Sequence, residues 1–252
     1  MTSARPPGSE LHPAALGFGR AADAYERGRP DYPARAIEWL AERLGLGAGR
    51  TVVDLAAGTG KLTRRLVPKG AEVIAVEPIA EMRAKIEGAR VLDGTAEAIP
   101  LADASADAVT VGQAFHWFRA EEALREIHRV LRPGGGLALV WNVRDESNPV
   151  QAEATAIIRP LEEGVPRRHK RDWREVLAAS RLFGPVEMET FDHEQVVDED
   201  AFVERFTSIS FVASADLRAR AEVEERLREL AAGAGTPIRL PYLTEVYVAT
   251  RG

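Results

Sequence analysis

Short apolar runs and amphipathic stretches alternate along residues 50–145. TVVDLAA at 51–57 has the near-continuous apolar character of a strand buried on both faces. Residues 59–68 then read as a helix stopping near Pro68, EVIAVEP at 72–78 as a second strand and 79–87 as a second helix. A third strand falls at 90–93 and a fourth in DAVTVGQAF, 107–115. Residues 120–131 are amphipathic, with Ala123, Leu124, Ile127, Val130 and Leu131 on one side; Pro133 and the glycines at 134–136 end that helix. LALVWNV at 137–143 is a fifth strand. Strands alternating with helices in this way predict parallel pairing in a Rossmann-like, doubly wound α/β sheet.

The flanks read differently. Residues 1–16, rich in Pro, Gly and Ser, read as a loose tail ahead of a domain at 17–252. A short helix at 17–29 stops at Arg29-Pro30, and Pro33 opens another that carries Ile37, Leu40 and Leu44 at helical spacing. These helices, 17–49, precede a core at 50–145. Residues 146–183 read as helix and loop, a cap over the sheet. Residues 184–252 complete the sheet, with strands at 185–197 and 243–251 and helices at 199–207 and 215–232.

Composition narrows the function. The chain has 252 residues, 45% apolar and 29% charged, which is globular and long enough for one large core. No apolar run reaches about 18 residues, and the N-terminus lacks a basic start with an apolar stretch, so neither a membrane span nor a signal peptide is expected. Cysteine is absent, which excludes disulfides and a thiol nucleophile and suits a cytoplasmic protein. A net charge of −6 disfavours a nucleic-acid partner. The basic run Arg167, Arg168, His169, Lys170 and Arg171 reads as a solvated loop, and Asp198-Glu199-Asp200 as a polar turn or helix start. The histidines at 12, 116, 128, 169 and 193 are scattered without metal-ligand spacing, so no metal is expected, and His128 is read as structural. No G-x-S-x-G elbow is present.

The most informative stretch is Asp54-Leu55-Ala56-Ala57-Gly58-Thr59-Gly60, between a predicted strand and a predicted helix. Small residues at 56, 58 and 60 let the backbone turn sharply and a ligand approach, at the strand end where open α/β sheets bind ligands. A dinucleotide site needs a third small residue where this chain has Thr63. Glu77, at the end of the second strand, can accept hydrogen bonds from both hydroxyls of a ribose, or serve as a helix-start acid before Pro78. NAD and S-adenosylmethionine both carry such a ribose.

VVDLAAGTGKL, VIAVEP, GTAEAIPL and RVLRPGG, in this order and spacing, resemble the class I S-adenosylmethionine-dependent methyltransferases in their type-11 branch, over about residues 18–145. The chain departs from the family's D-x-G-x-G-x-G at one point, with Ala56 at the first glycine. Alanine is small enough for the backbone contact but strained if its φ is positive. The resemblance implies a seven-stranded sheet and S-adenosylmethionine as cofactor. It implies that Asp54, Ala56, Gly58 and Gly60 line the methionine part, with Thr59 in the same turn. Glu77, with Pro78, would hold the ribose; Thr95, Ala96 and Glu97 would sit beside the adenine, and Gln113 near the sulfonium.

Transfer from a sulfonium needs alignment and exclusion of water more than a catalytic group. His116, just past the fourth strand, is the candidate base or orienting residue, with a backbone-satisfying role as the other reading. Trp117 offers an indole N–H to an acceptor oxygen or anchors the next helix. The His-Trp pair is similar to one in some small-molecule carboxyl methyltransferases, which points to a carboxylic acid acceptor. The family resemblance extends to Tyr25, Arg29 and Tyr32, as lid residues that contact the ligand. Trp141 and Asn142 are further pocket candidates, and Trp173 is expected to bury itself among the cap helices. The expected function is methyl transfer to a carboxylic acid or hydroxyl oxygen of a small molecule. The alternatives are a non-enzymatic module binding S-adenosylmethionine or S-adenosylhomocysteine, and an NAD-dependent oxidoreductase.

Overall fold

The computed structural model describes residues 26–162 and 173–252. Tyr25, the tail at 1–16 and the basic run at 167–171 lie outside the described residues. Seven strands follow in chain order: β1 (Thr51–Leu55), β2 (Glu72–Val76), β3 (Arg90–Leu92), β4 (Ala106–Gly112), β5 (Leu131–Arg144), β6 (Glu187–Val197) and β7 (Ile238–Thr250). They form one sheet in the order β3-β2-β1-β4-β5-β7-β6. The first five pair in parallel, and β7 runs antiparallel to both its neighbours. The strand order reverses between β1 and β4, so a crevice opens at their carboxyl ends.

The pleat sends alternate side chains to opposite faces, and each face has its own helices. Helices α1 (Ala34–Arg43) and α2 (Lys61–Leu66) cover one side, where Ile37, Leu40, Leu62 and Leu66 pack on Val52, Ala138 and Val140. The one-turn helix α3 (Ala80–Arg83) follows β2, shorter than the segment 79–87 expected. On the opposite side α4 (Ala120–Val130) buries Leu124 and Ile127 against Val109, Leu137 and Leu139. Helix α5 (Pro149–Ile158) is capped by Asn148, whose Oδ1 accepts from the Gln151 N–H at 3.0 Å. Then come α6 (Trp173–Ser180), α7 (Glu199–Thr207), α8 (Ser210–Ala213) and α9 (Leu217–Ala234). The Asp198 carboxylate caps α7 through the Ala201 N–H at 2.8 Å, so the acidic run is a helix start.

The helices expected to form one cap divide between two places. Helices α5, α7, α8 and α9 share a separate core with the far ends of β6 and β7, built on Ile157, Phe202, Phe206, Leu227 and Tyr242. Helix α6 instead lies on the sheet beside α4. Trp173 explains this: it stacks on Trp141 at 4.7 Å and meets Tyr247 edge-on at 4.7 Å, both on the sheet. It does not bury itself among the cap helices. A second difference lies at 131–136. The residues expected only to end α4 already pair with β4, Leu131 opposite Ala106 and Gly136 opposite Ala108, and a bulge absorbs the excess. His128 is structural as expected: its Nε2 accepts from Arg251 Nε at 3.2 Å. No helix among the described residues is long and apolar enough to cross a membrane.

Candidate functional site

The turn from β1 into α2 is shaped by backbone conformation. Ala56, Gly58 and Gly60 have φ of 55°, 60° and 84°, all in the left-handed region. Every second residue must therefore be small, and Ala56 carries the strain its Cβ brings there. A Cβ placed on Gly58 would meet nothing within 4 Å, so the turn faces open space.

Asp54 lies beneath this turn, 1% exposed. Its Oδ2 accepts from Thr63 Oγ1 at 2.6 Å and its Oδ1 from Thr110 Oγ1 at 3.3 Å. Burial pushes its carboxyl up to about 7; the two hydroxyls oppose that shift and the charge of Glu77 adds to it. Glu77, at the tip of β2, is also buried. Its two oxygens accept the N–H groups of Gly58 at 2.8 Å and Ile79 at 2.9 Å.

A cleft of about 540 Å³, its open mouth included, stands over Asp54. It is lined by Ala56, Gly58, Thr59 and Gln113 from the strand ends, and by Arg29, Tyr32 and Asn142. Gln113 has φ 59°, a second non-glycine residue in the left-handed region at this site, and its Nε2 donates to the Asn142 carbonyl at 3.2 Å. Segment 26–32 closes one side. Glu26 accepts from Thr59 Oγ1 and pairs with Arg64, and Asp31 takes the Arg65 guanidinium on both oxygens. Asn142 Nδ2 donates to the Asp31 carbonyl at 3.0 Å, and Tyr32 is buried with its hydroxyl over Gly112.

Glu77, Pro78, Thr95, Ala96 and Glu97 are not part of this cleft's wall. Thr95 and Ala96 are buried, and Glu97 Oε1 accepts the Arg119 N–H at 2.9 Å, just before α4. His116 lies in a short helical turn, Phe115–Trp117, its ring against Trp117 at 5.1 Å; neither lines the cleft. Trp141 corrects the expectation that it lines the pocket. Asn142 points to the α1 side of the pleat, so Trp141 must point to the α4 side, where it is 2% exposed in the aromatic stack.

A family model described as a methyltransferase domain matches residues 53–139. The chain is 40% identical over 245 residues to an uncharacterized methyltransferase of Mycobacterium tuberculosis, covering 94% of this chain and 96% of that one. It belongs to the class I S-adenosylmethionine-dependent methyltransferases, in their type-11 branch. This methyltransferase is also 34% identical over 136 residues to a malonyl-[acyl-carrier protein] O-methyltransferase of Enterobacter lignolyticus, about half of each chain (52% and 54%). Its fold is that of the YcgJ protein of Bacillus subtilis, with a TM-score of 0.56 at 19% identity over 86% of this chain and 98% of the other. The oxidoreductase and non-enzymatic alternatives give way to an enzyme that transfers methyl groups.

Two cations of the methyltransferase's cleft escaped sequence reasoning, Lys61 and Arg205. Lys61 opens α2 with Glu26 at 3.6 Å. Arg205 comes from α7, far along the chain. Its signal in the sequence is faint: a cation on the helix face that also buries Phe202, Val203 and Phe206.

Proposed function

We propose that the methyltransferase binds S-adenosylmethionine in the cleft over Asp54 and moves its methyl group to an oxygen of a small-molecule acceptor, a carboxylic acid or a hydroxyl. The observation that carries this reading is the open left-handed turn at Ala56 and Gly58 above a buried carboxyl held near neutrality. The residues fit the cofactor. A backbone without bulky side chains admits a close ligand, and a cation beside Asp54 would draw off its proton and relieve its buried charge.

When bound, S-adenosylmethionine supplies a methyl group already activated by its sulfonium. In this reading Asp54, Ala56, Gly58, Thr59 and Gly60 hold its methionine part, with Gln113 near the sulfonium. Glu77 and Pro78 serve the ribose from behind the turn, and Thr95, Ala96 and Glu97 the adenine. Arg29 takes the methionine carboxylate. The segment 26–32 acts as a lid that excludes water, and Tyr32 and Asn142 face the acceptor.

Two things support oxygen as the acceptor atom. One is the similarity to a protein named as an O-methyltransferase. The other, which favours a carboxylate over a hydroxyl, is that no histidine lines the cleft among the described residues. A carboxylate is already ionised at neutral pH and needs no base. In this reading His116 and Trp117 shape the loop beside the acceptor rather than take its proton.

The test is incubation of the purified protein with methyl-labelled S-adenosylmethionine and a cellular small-molecule extract, read by mass spectrometry. A labelled product whose label is lost in mild base is expected, as a methyl ester. Retention of the label in mild base would move the reading to an ether or an amine. The reading is overturned if no labelled product appears and S-adenosylhomocysteine does not bind in the calorimeter.

A further inference from the structure

Arg205 is 3% exposed, and among the described residues its guanidinium has one hydrogen-bonding anchor. Nε donates to the Tyr242 hydroxyl at 2.8 Å, and the group lies over the rings of Phe206 and Tyr242 at 5.5 and 5.6 Å. The buried Nη1 has no hydrogen-bond partner, and no carboxylate stands within ion-pair distance, among the described residues. Its neighbour Glu204 is turned outward to Arg27, at 2.7 and 2.9 Å. A buried cation without a countercharge is unfavourable, and an anion supplied from outside would stabilise it.

Two contacts fix the position. A Cβ on Gly28 would stand 2.8 Å from the Arg205 backbone, so the lid packs directly on this turn of α7. Gln195 Nε2 holds the Gly28 carbonyl at 3.1 Å from β6. Arg205 reaches the cleft at its α7 wall.

The charge of the cleft points the same way. Its lining carries Arg29, Lys61 and Arg205 beside the acid Asp54, with Lys61 paired to Glu26 at 3.6 Å. Bound S-adenosylmethionine would add an ammonium and a sulfonium against one carboxylate, a net gain of positive charge. An anionic acceptor offsets that gain, and a buried guanidinium recognises a carboxylate through directed, charge-assisted hydrogen bonds.

We infer that Arg205 is the specificity residue of the acceptor site and that the acceptor is a small organic acid whose carboxylate it holds. This rests on the reading that the cleft binds S-adenosylmethionine. The test therefore begins by measuring S-adenosylhomocysteine binding in a calorimeter. The saturated complex is then offered mono- and dicarboxylates of two to eight carbons, each beside its neutral amide, and binding is read by ligand-detected NMR. Acids are expected to bind where amides do not, and Arg205→Gln to weaken the acids at least 10-fold with S-adenosylhomocysteine affinity unchanged. Arg205→Lys, which keeps the charge for the fold, should recover part of that loss. Three outcomes overturn the inference: no acid binds the wild-type complex, acids bind the Gln variant equally, or S-adenosylhomocysteine affinity itself drops 10-fold. The last would give Arg205 to the cofactor's carboxylate. Failure of the wild type to bind S-adenosylhomocysteine would instead strike the underlying reading.

Discussion

The Glu77 carboxylate accepts the Gly58 N–H at 2.8 Å, so the tip of β2 braces the turn that follows β1. The same carboxylate holds Ile79 N–H at 2.9 Å and starts the next helical turn. One side chain thus fixes both loops over the crevice, and replacing it loosens both together.

Glu77→Ala should lower affinity for S-adenosylhomocysteine by roughly 10- to 100-fold, the effect of losing about 1.4–3 kcal/mol of charge-assisted bonding. Glu77→Gln retains one good acceptor and should lose less. Calorimetry decides it: an Ala variant with wild-type affinity would leave Glu77 as a brace alone.

Ala56 stands at φ 55° where a glycine is at ease. The left-handed strain on alanine is about 1–2 kcal/mol, and glycine gives back roughly 0.5–1 kcal/mol through the freer unfolded chain. Ala56→Gly should therefore stabilise the protein by about 0.5–1 kcal/mol, seen as a higher urea midpoint at constant slope. Ala56→Val should move the midpoint the other way. A destabilised glycine variant would show that the alanine methyl makes packing contacts that outweigh its strain.

Residues 50–145 were legible because a strand buried on both faces must be apolar along its length. Small residues at every second place of a turn likewise announce left-handed backbone. The position of Ala56 was readable from the motif, and its positive φ bears that out. Adjacent residues in β5 were harder. Both Trp141 and Asn142 end a strand near the crevice, but the pleat admits one of them, and which one depends on the register with β7. Arg205 was out of reach for a different reason: its place in the cleft arises from α7 packing on Gly28, a contact between segments 177 positions apart (28 to 205) that leaves no local pattern.

Asp54 gives a pH signature. Its carboxyl is near 7 when folded and 3.8 as a free carboxyl. Between those values the folded chain holds a proton that the unfolded chain has lost, so this group's contribution to stability falls as pH rises from about 4 to about 7. It is level below and above that window. Asp54→Asn removes the titration, so its stability relative to the wild type should climb across the same interval. Urea titrations of both proteins from pH 4 to 8 test this. A difference that stays constant with pH would mean that Asp54 is ionised throughout.

The last prediction separates the two faces of the sheet. Trp173 is 1% exposed and stacks on Trp141 at 4.7 Å with 29° between the rings, with Phe115 edge-on at 6.4 Å. It fastens α6 to the sheet on the side away from Asn142 and the cleft. Trp173→Ala should cost about 3–5 kcal/mol through the cavity and lost aromatic contacts, and Trp173→Phe clearly less. Because β5 presents Trp141 and Asn142 to opposite sides, the Phe variant should bind S-adenosylhomocysteine as the wild type does. Denaturation and calorimetry on the same samples read both quantities. Affinity that falls with stability in the Phe variant would show that packing under Trp141 is transmitted through β5 to the cleft, so that the two faces act as one site.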